Sequence, residues 1–420
     1  MTAIRIALLL LLVLGLSCGC SCNKGQDPDT DSQPSTANLP AGKAGDFAFR
    51  LYGLMDKPGK NIFYSPYSIS SAMAMVWGGA KGNTADQIAL AMGFELPPEE
   101  QHAAFHDLQK ALNAIGDRGK AELNVANALF GADKYKHLLL EDYLDLLRET
   151  YASDLYSLNF GDPKGTAKFI NDWVEKKTKD RIKDLISEDD IRGSNDGVVL
   201  VNAIYFKGNW LKQFDPKATF RDTFYSSSRK RESEYARPVD MMYLEGDFAY
   251  AAVPGYQLLE LPYAEKDLAM LFVLPDEIDD QKAKLTQSAY REWRDALQVQ
   301  EVKVYIPKFK IEHTLEGLSG KLKDMGIKDA FDASLADFTG IREPGAADLY
   351  IMDVVHKAFV EVNEEGTEAA AATGVVMATK AAPVKPIPVF RADRPFLYMI
   401  LHRPTGTVLF LGKLQEPPKL

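Results

Sequence analysis

Apolar residues follow a helical period through the first half of the chain and form longer runs in the second half. Predicted helices cover residues 99–115, 138–151, 166–185 and 315–325. The first predicted helix is marked by apolar residues at helical spacing: Phe47, Leu51, Leu54 and Met55. Ser65 and Pro66 precede a small apolar run at 70–77, which predicts a buried helix capped by serine.

The second half of the chain is dominated by predicted strands. Residues 197–206 are nearly all apolar, which indicates a central strand buried on both faces. Further strands are predicted at 258–262, 269–274, 302–306 and 349–362, with a terminal hairpin at 396–401 and 408–411. Helices followed by long strands indicate an α+β domain with large sheets.

Composition and charge narrow the possible partners. The 420 residues are 46% apolar and 26% charged, as in a globular protein. The net charge of −10 is spread along the chain and disfavours nucleic acid as a partner. The six histidines are scattered without a ligand spacing, so no metal site is expected. No cofactor is predicted. The acidic balance also disfavours a polysaccharide-binding patch, but the basic run Arg229-Lys230-Arg231 retains it as an alternative.

The first 22 residues have the features of a targeting segment. Arg5 precedes an apolar run at 6–16, which is shorter than the ~20 residues that span a bilayer. Small residues and cysteines follow, which resembles a bacterial lipoprotein signal lipidated at Cys18, with Cys20 as the alternative. An ordinary secretory signal is the competing interpretation. Both predict a protein outside the cytoplasm, and the lipoprotein interpretation adds membrane contact through the lipid anchor alone.

Residues 23–41 are polar and contain proline, which predicts a flexible tether ahead of one domain at 42–420. All three cysteines lie in the first 22 residues, so this domain can form no disulfide.

The stretch at 361–381, EVNEEGTEAAAATGVVMATKA, is conformationally ambivalent between loop, helix and strand. Side chains alternate along a strand, so as a strand it would have one small, uncharged face, while Glu368 would point to the other face. That face consists of Thr367, Ala369, Ala371, Thr373, Val375 and Met377. Such a segment can remain exposed and still add itself to a sheet, although an alanine-rich linker is the simpler interpretation.

Several short sequence blocks of the chain occur in the same order in one known family, and they favour the strand-adding interpretation over a linker. They are NIFYSP at 61–66, VNAIYFKGNW at 201–210, LELPY at 259–263, IPKF at 306–309, ADFTG at 336–340, HKA at 356–358, EEGTEAAAA at 364–372, RPF at 394–396 and FLG at 410–412. Together they cover the chain from about residue 42 to its end. The chain resembles the serpin family.

The resemblance implies a fold of three β-sheets and about nine helices, with an exposed reactive-centre loop. A target serine protease would cut this loop, which would then insert as a strand and trap the acyl-enzyme. The chain would be consumed and would not be an enzyme, and a monomer is expected. The resemblance places the loop hinge at Glu364, Gly366, Thr367, Glu368, Ala369, Ala370, Ala371 and Ala372.

Counting along the loop predicts the cleaved bond. In the inhibitory members of the family that this chain resembles, the cleaved bond lies about seventeen residues into the stretch that begins at Glu364. Seventeen residues end at Lys380, so the resemblance implies Lys380–Ala381 as the reactive bond. Lysine at this position suits a trypsin-like protease, whose specificity pocket carries a carboxylate. Cleavage at Met377–Ala378 or Thr379–Lys380 by an elastase-like or chymotrypsin-like enzyme is the alternative, and a cysteine protease is a further possible target.

Two polar groups also match family positions. Four residues match the shutter, a polar cluster beneath the opening point of the main sheet: Ser65, Ser68, Asn202 and His356. Three match the breach at the top of that sheet: Trp210, Lys308 and Glu364. If they have no such role, the four shutter residues are ordinary buried polar residues with their hydrogen bonds satisfied. Lys308 and Glu364 would then be a surface ion pair, and Trp210 a core residue.

Two other function classes compete with inhibition. A non-inhibitory serpin-fold protein could bind a ligand or assist folding, but the small-residue loop pattern favours inhibition. An enzyme using Ser65 and His356 is disfavoured because neither lies in a G-x-S-x-G context.

Overall fold

The computed structural model describes residues 43–192, 197–227, 231–276, 285–343, 349–366 and 386–418. The predicted targeting segment and tether, with Cys18 and Cys20, lie outside these ranges, and so do Thr367, Glu368, Ala369, Ala370, Ala371, Ala372, Lys380 and Ala381.

The described residues contain nine α-helices. They are α1 (Lys43–Met55), α2 (Pro66–Gly79), α3 (Gly82–Met92), α4 (Pro98–Asp117), α5 (Glu141–Tyr151), α6 (Pro163–Lys177), α7 (Glu188–Ile191), α8 (Gln287–Ala296) and α9 (Leu318–Asp324). Across the same ranges, no helix has both the length and the apolar character that a membrane span needs.

Fourteen strands are present in these ranges. They are β1 (Ile62–Tyr64), β2 (Ala121–Ala132), β3 (Leu155–Leu158), β4 (Val198–Gly208), β5 (Phe220–Tyr225), β6 (Ala236–Val253), β7 (Tyr256–Pro262), β8 (Leu268–Pro275), β9 (Gln298–Pro307), β10 (Phe309–Thr314), β11 (Ile351–Val362), β12 (Val389–Arg391), β13 (Phe396–His402) and β14 (Thr407–Leu414).

A five-stranded sheet has the order β10-β11-β4-β2-β3. Its centre is the parallel pair of β4 and β11, which run side by side although about 150 residues separate them in sequence. We call this contact the seam. β4 is buried along almost its whole length, which explains its continuous apolar sequence.

The remaining strands form one hydrogen-bonded network of nine. Its path is β1-β14-β13-β8-β7-β6-β9-β12, and β5 also pairs with β6. The 18-residue strand β6 pairs with β5 and β9 over most of its length and with β7 at its end. It therefore joins two sheet layers, and with the five-stranded sheet these give the three-sheet α+β fold that was predicted.

Two hydrophobic clusters cover the two faces of the five-stranded sheet. The larger cluster includes α2, whose N-terminus is capped by the Ser65 side chain accepting from the Ser68 N–H at 3.0 Å. The smaller cluster places Ile170 and Val174 of α6 against Val201 and Ala203 of β4.

The structure corrects several details of the predicted elements. Leu54 is 44% exposed and does not share the buried face of α1. The helix predicted at 166–185 ends at Lys177, because Lys179, Asp180 and Asp184 adopt positive φ. Seven strands were not predicted, namely β1, β2, β3, β5, β6, β10 and β12. Of these, β1, β2 and β3 lie in the first half of the chain, where only helices were expected.

Candidate functional site

The seam is a parallel ladder with a defined register. It runs from Ile351 opposite Val198 to Phe359 opposite Tyr205. The chain leaves β11 at Val362 and reaches Gly366 through a turn, beside the end of β4. A strand that turned back from this point would run antiparallel to both β11 and β4. It would replace one parallel ladder by two antiparallel ladders, which are slightly more stable per residue.

A buried polar pair lies in the middle of the seam. His356 on β11 lies directly opposite Asn202 on β4, and both are fully buried. The His356 Nδ1–H donates to Asn202 Oδ1, and His356 Nε2 accepts from the Ser65 backbone N–H at 3.1 Å. Both ring nitrogens are thus satisfied by a neutral imidazole.

The same network extends from the seam to helix α2 and strand β2. Asn202 Nδ2 donates to the Ser68 carbonyl at 2.9 Å and also contacts Asn127 Oδ1. The Ser68 hydroxyl donates to Asn127 Oδ1 at 3.3 Å, and the Ser65 hydroxyl donates to the Leu409 carbonyl at 2.6 Å. The four predicted shutter residues therefore lie together and are joined by Asn127.

This arrangement does not support hydrolytic catalysis. The Ser65 hydroxyl bonds a backbone carbonyl rather than His356, so the two do not form a nucleophile and base pair. Burial lowers the pKa of His356 to about 3, with a smaller contribution from nearby His313. Both residues are fully buried, out of reach of any substrate.

An ion pair lies where β10 begins and β11 has ended. Lys308 Nζ lies 2.9 Å from Glu364 Oε2, and the Thr219 hydroxyl donates to Glu364 Oε1 at 2.8 Å. Burial by itself raises the pKa of Glu364, but the hydrogen bonds from Lys308 and Thr219 outweigh it and the pKa lies below its usual value. Glu364 is therefore an ionised, largely buried anchor.

The turn at 363–366 is held by the chain that follows β4. The Trp210 indole N–H donates to the Asn363 carbonyl at 3.0 Å, and the Trp210 backbone N–H donates to the Glu365 carbonyl at 2.9 Å. The Phe214 N–H donates to the Glu364 carbonyl, also at 2.9 Å. Three successive carbonyls are thus fixed, and Trp210 itself stacks on Tyr263 with ring centroids 4.6 Å apart.

Gly366 is required at the end of this turn. Its φ of +106° lies in a region that other residues rarely adopt. A Cβ at this position would also lie within hard contact of the Gly208 carbonyl oxygen and of the Trp210 nitrogen. The described part of the loop hinge is therefore packed closely against the end of β4.

Comparison with known proteins identifies the family to which this chain belongs. The model of the family "Serpin (serine protease inhibitor)" matches residues 43–417. The chain belongs to the serpin family. This confirms the family resemblance, and with relatives named as inhibitors it confirms the prediction that the chain is not an enzyme.

Individual serpins match over nearly their full length. A leukocyte elastase inhibitor of Equus caballus is 38% identical over 403 residues, covering 92% of this chain and 100% of that protein. The structure of human thyroxine-binding globulin complexed with thyroxine has a TM-score of 0.79 at 32% identity, and the match covers 90% of this chain and 98% of that chain. The thermophilic serpin tengpin in its native state has a TM-score of 0.79 at 25% identity, with 91% and 96% covered.

Sequence reasoning missed three residues of this serpin's site. Asn127 completes the buried network, Thr219 bonds Glu364, and Asn363 accepts from Trp210 and closes the turn onto Gly366. Asn127 had a detectable signal, since it is a polar residue within the mostly apolar run 125–132. Thr219 and Asn363 had none, because their roles depend on distant chain segments meeting at the top of the seam.

Proposed function

We propose that this serpin is a single-use inhibitor of serine proteases. The observation that carries the proposal is the parallel seam, together with the turn beside it that ends at Gly366, after which the predicted reactive-centre loop continues in the sequence. The loop has an uncharged alternate face from Thr367 to Met377, so it can enter the seam without burying a charge. Inserted, it would pair antiparallel with both neighbours, which supplies a driving force for trapping.

The proposed reaction begins as ordinary proteolysis. The protease serine attacks the Lys380 carbonyl, the Lys380–Ala381 bond breaks, and Ala381 leaves as a free amine. Lys380 remains as an ester on the protease serine. Insertion of residues 367–380 then carries the protease away before water can hydrolyse the ester, and each serpin molecule acts once.

A trypsin-like target follows from Lys380, because a specificity pocket with a carboxylate binds the lysine ammonium group. A second target class has separate support. Several relatives bear the name leukocyte elastase inhibitor, and Met377–Ala378 offers an elastase-like enzyme an uncharged bond three residues earlier.

We further propose that the protein acts outside the cytoplasm of a bacterium as a monomer. Residues 1–22 support this, with lipidation at Cys18 or Cys20, a tether at 23–41 and the inhibitory domain at 42–420.

A binding function without inhibition is the second candidate. Its support is the likeness to thyroxine-binding globulin, whose structure is a complex with thyroxine. In that case the loop would be cut without trapping the protease.

One experiment separates these functions. The full chain is mixed with trypsin or with leukocyte elastase, run on a denaturing gel, and its released peptide is identified by mass spectrometry. Trypsin should give a stable conjugate and a peptide that begins at Ala381, and Lys380→Ala should abolish this conjugate. A conjugate with elastase alone, and a peptide that begins at Ala378, would contradict the trypsin-like assignment. Cleavage by both enzymes without conjugate or gain in thermal stability would favour the binding function.

A further inference from the structure

A cavity of about 370 Å³ lies between helix α8 and the hairpin that joins β6 to β7. We call it the hairpin cavity and define it by Val253, Pro254, Tyr256, Ala289, Glu292 and Trp293. Val253 lies opposite Tyr256, and the two residues between them close the hairpin. The volume falls at the lower end of the range for ligand sites, so the cavity suits a small molecule rather than a protein segment.

Two aromatic side chains form the inner wall of the hairpin cavity. Trp293 is 5% exposed and Tyr256 is 7% exposed, and their ring centroids lie 5.3 Å apart. Val253, Pro254 and Ala289 add apolar surface around the two rings. Such a wall favours a ligand with an apolar body, and the electron-rich faces of aromatic rings also attract a cation.

Hydrogen bonds outside the cavity fix both of its sides. On the hairpin side, the Gly255 carbonyl accepts from the Asp276 N–H at 3.0 Å, which ties the hairpin to the end of β8. On the helix side, the Tyr290 hydroxyl donates to the Gly406 carbonyl at 2.9 Å, which ties α8 to the turn between β13 and β14. The hairpin cavity is therefore preformed, and a ligand need not order it on binding.

Glu292 determines the charge of the hairpin cavity. Among the described residues that line the cavity, Glu292 is the one with a charge, and Thr286 and Ser288 add two hydroxyls. The Ser288 hydroxyl donates to Glu292 Oε1 at 3.1 Å. No lysine or arginine in the described part of the chain forms an ion pair with Glu292. Its carboxylate therefore attracts a positive group into the cavity.

We infer that the hairpin cavity binds a small organic cation, in which an amine or a quaternary ammonium group is carried on an apolar body. The ammonium group pairs with the Glu292 carboxylate, and the apolar body contacts Trp293 and Tyr256. Charge attraction and cation–π contact favour the same sign of ligand. The inference does not depend on the proposed inhibitory function, because none of the residues that line the cavity belongs to the seam or to the turn at 363–366.

Three probes of similar size and different charge test this inference. Phenethylammonium is positive, 2-phenylethanol is neutral and phenylacetate is negative at pH 7. Their dissociation constants for the full chain are measured by isothermal titration calorimetry. We expect about 0.1–1 mM for phenethylammonium, as is usual for so small a ligand. The alcohol should bind at least about fivefold more weakly, because it lacks the ion pair and the cation–π contact, and phenylacetate more weakly still.

Two matched variants locate the bound ammonium group. Glu292→Gln and Asp295→Asn each remove one carboxylate from an exposed position of α8, but Asp295 does not line the cavity. Glu292→Gln should weaken phenethylammonium about 3- to 10-fold and leave 2-phenylethanol unchanged. Asp295→Asn should alter neither. Ala289→Leu should fill the cavity and abolish both, and its thermal midpoint is compared with that of the parent to show that it folds.

Each outcome decides the inference. Weakening by Glu292→Gln but not by Asp295→Asn supports the site. Equal weakening by the two variants would mean attraction to general surface charge, and binding that survives in a folded Ala289→Leu would lie elsewhere, so either result overturns the site. Equal binding of all three probes would overturn the preference for a cation. Absence of phenethylammonium binding to the parent at about 10 mM would exclude the site altogether.

Discussion

His356 and Asn202 lie directly opposite each other across the parallel seam and are joined by a hydrogen bond. Each also bonds α2, His356 through the Ser65 N–H and Asn202 through the Ser68 carbonyl. Separating β4 from β11 must therefore break bonds to a third element as well as the ladder itself. The network fixes the register of the seam and resists its opening.

Removing one member of this network should weaken the native state. Asn202→Ala leaves the His356 Nδ1–H and the Ser68 carbonyl without this partner, in a fully buried place. We expect the unfolding free energy to fall by about 1–3 kcal/mol, measured by urea denaturation. Asn113→Ala, at an exposed position of α4, is the control and should change little. Equal stability of the two variants would show that the network does not hold the seam.

The buried histidine also predicts a dependence of stability on pH. In the folded protein His356 stays neutral down to its pKa of about 3, whereas the unfolded chain binds a proton below about 6.5. The unfolded state therefore binds more protons between these values, and stability falls as the pH falls below 6.5. The contribution of His356 is about 1.4 kcal/mol per pH unit.

His356→Gln removes this contribution but keeps an amide donor and acceptor. Urea midpoints at pH 7, 6 and 5 should therefore fall less steeply for the variant than for the parent. A residual slope is expected in both, because burial also lowers the pKa of His102, to about 4. Parallel slopes would contradict the assignment of a neutral buried imidazole at position 356.

Gly366→Ala should disrupt the turn that precedes the loop. The added Cβ meets the backbone of 208–210, and the positive φ strains any side chain. We expect a loss of about 1–3 kcal/mol, with a change in tryptophan fluorescence as the bonds from Trp210 break. Gly53→Ala is the control, since nothing lies within 4 Å of its added Cβ and it sits in α1. It should stabilise by about 0.5–1 kcal/mol.

Substituting Lys308 should cost more stability than substituting Glu364, although the two form one ion pair. Lys308→Met leaves the Glu364 carboxylate ionised and only 8% exposed without its cation. Glu364→Gln removes the charge and still accepts from Thr219. We expect Lys308→Met to cost more unfolding free energy at pH 7, and its deficit to shrink as the pH is lowered and Glu364 takes up a proton. A larger cost for Glu364→Gln would mean that the charge of Glu364 is not what anchors the turn.

Strand insertion predicts opposite outcomes for neighbouring loop residues. Ala369→Glu places a charge on the face that must be buried, whereas Ala370→Glu places the same charge on the other face. The first variant should be cut by trypsin at the normal rate but trap at least about tenfold less of it. The second should trap like the parent. Equal trapping by the two would exclude insertion of this loop as an alternating strand.

The sequence predicted most of the fold because local pattern and burial agree in most elements. The apolar run at 197–206 corresponds to β4, and Ser65 with Pro66 starts α2 as predicted. Prediction failed where tertiary context decides. Residues after Lys177 have the hydrophobic spacing of a helix, yet three of them adopt positive φ and the helix does not continue. The chain instead reaches the five-stranded sheet, where the Lys183 carbonyl accepts a hydrogen bond from Lys357 Nζ at 2.8 Å.

The site was predictable only through blocks of residues shared with a family. Local pattern alone marks Ser65 as a helix cap and gives His356 no role. What joins them is the meeting of β4, β11 and α2, which are distant in sequence. Asn127 belongs to the same network but stands outside the quoted blocks, and it was missed for that reason.

The seam determines the lifetime of the native state. If two antiparallel ladders are worth more than the one parallel ladder now present, the intact fold is a metastable state rather than the free-energy minimum of its own chain. Its persistence is then a rate, set by the barrier that the His356 network and the 363–366 turn impose. Storage lifetime, rather than melting temperature, becomes the quantity by which variants of this protein should be ranked.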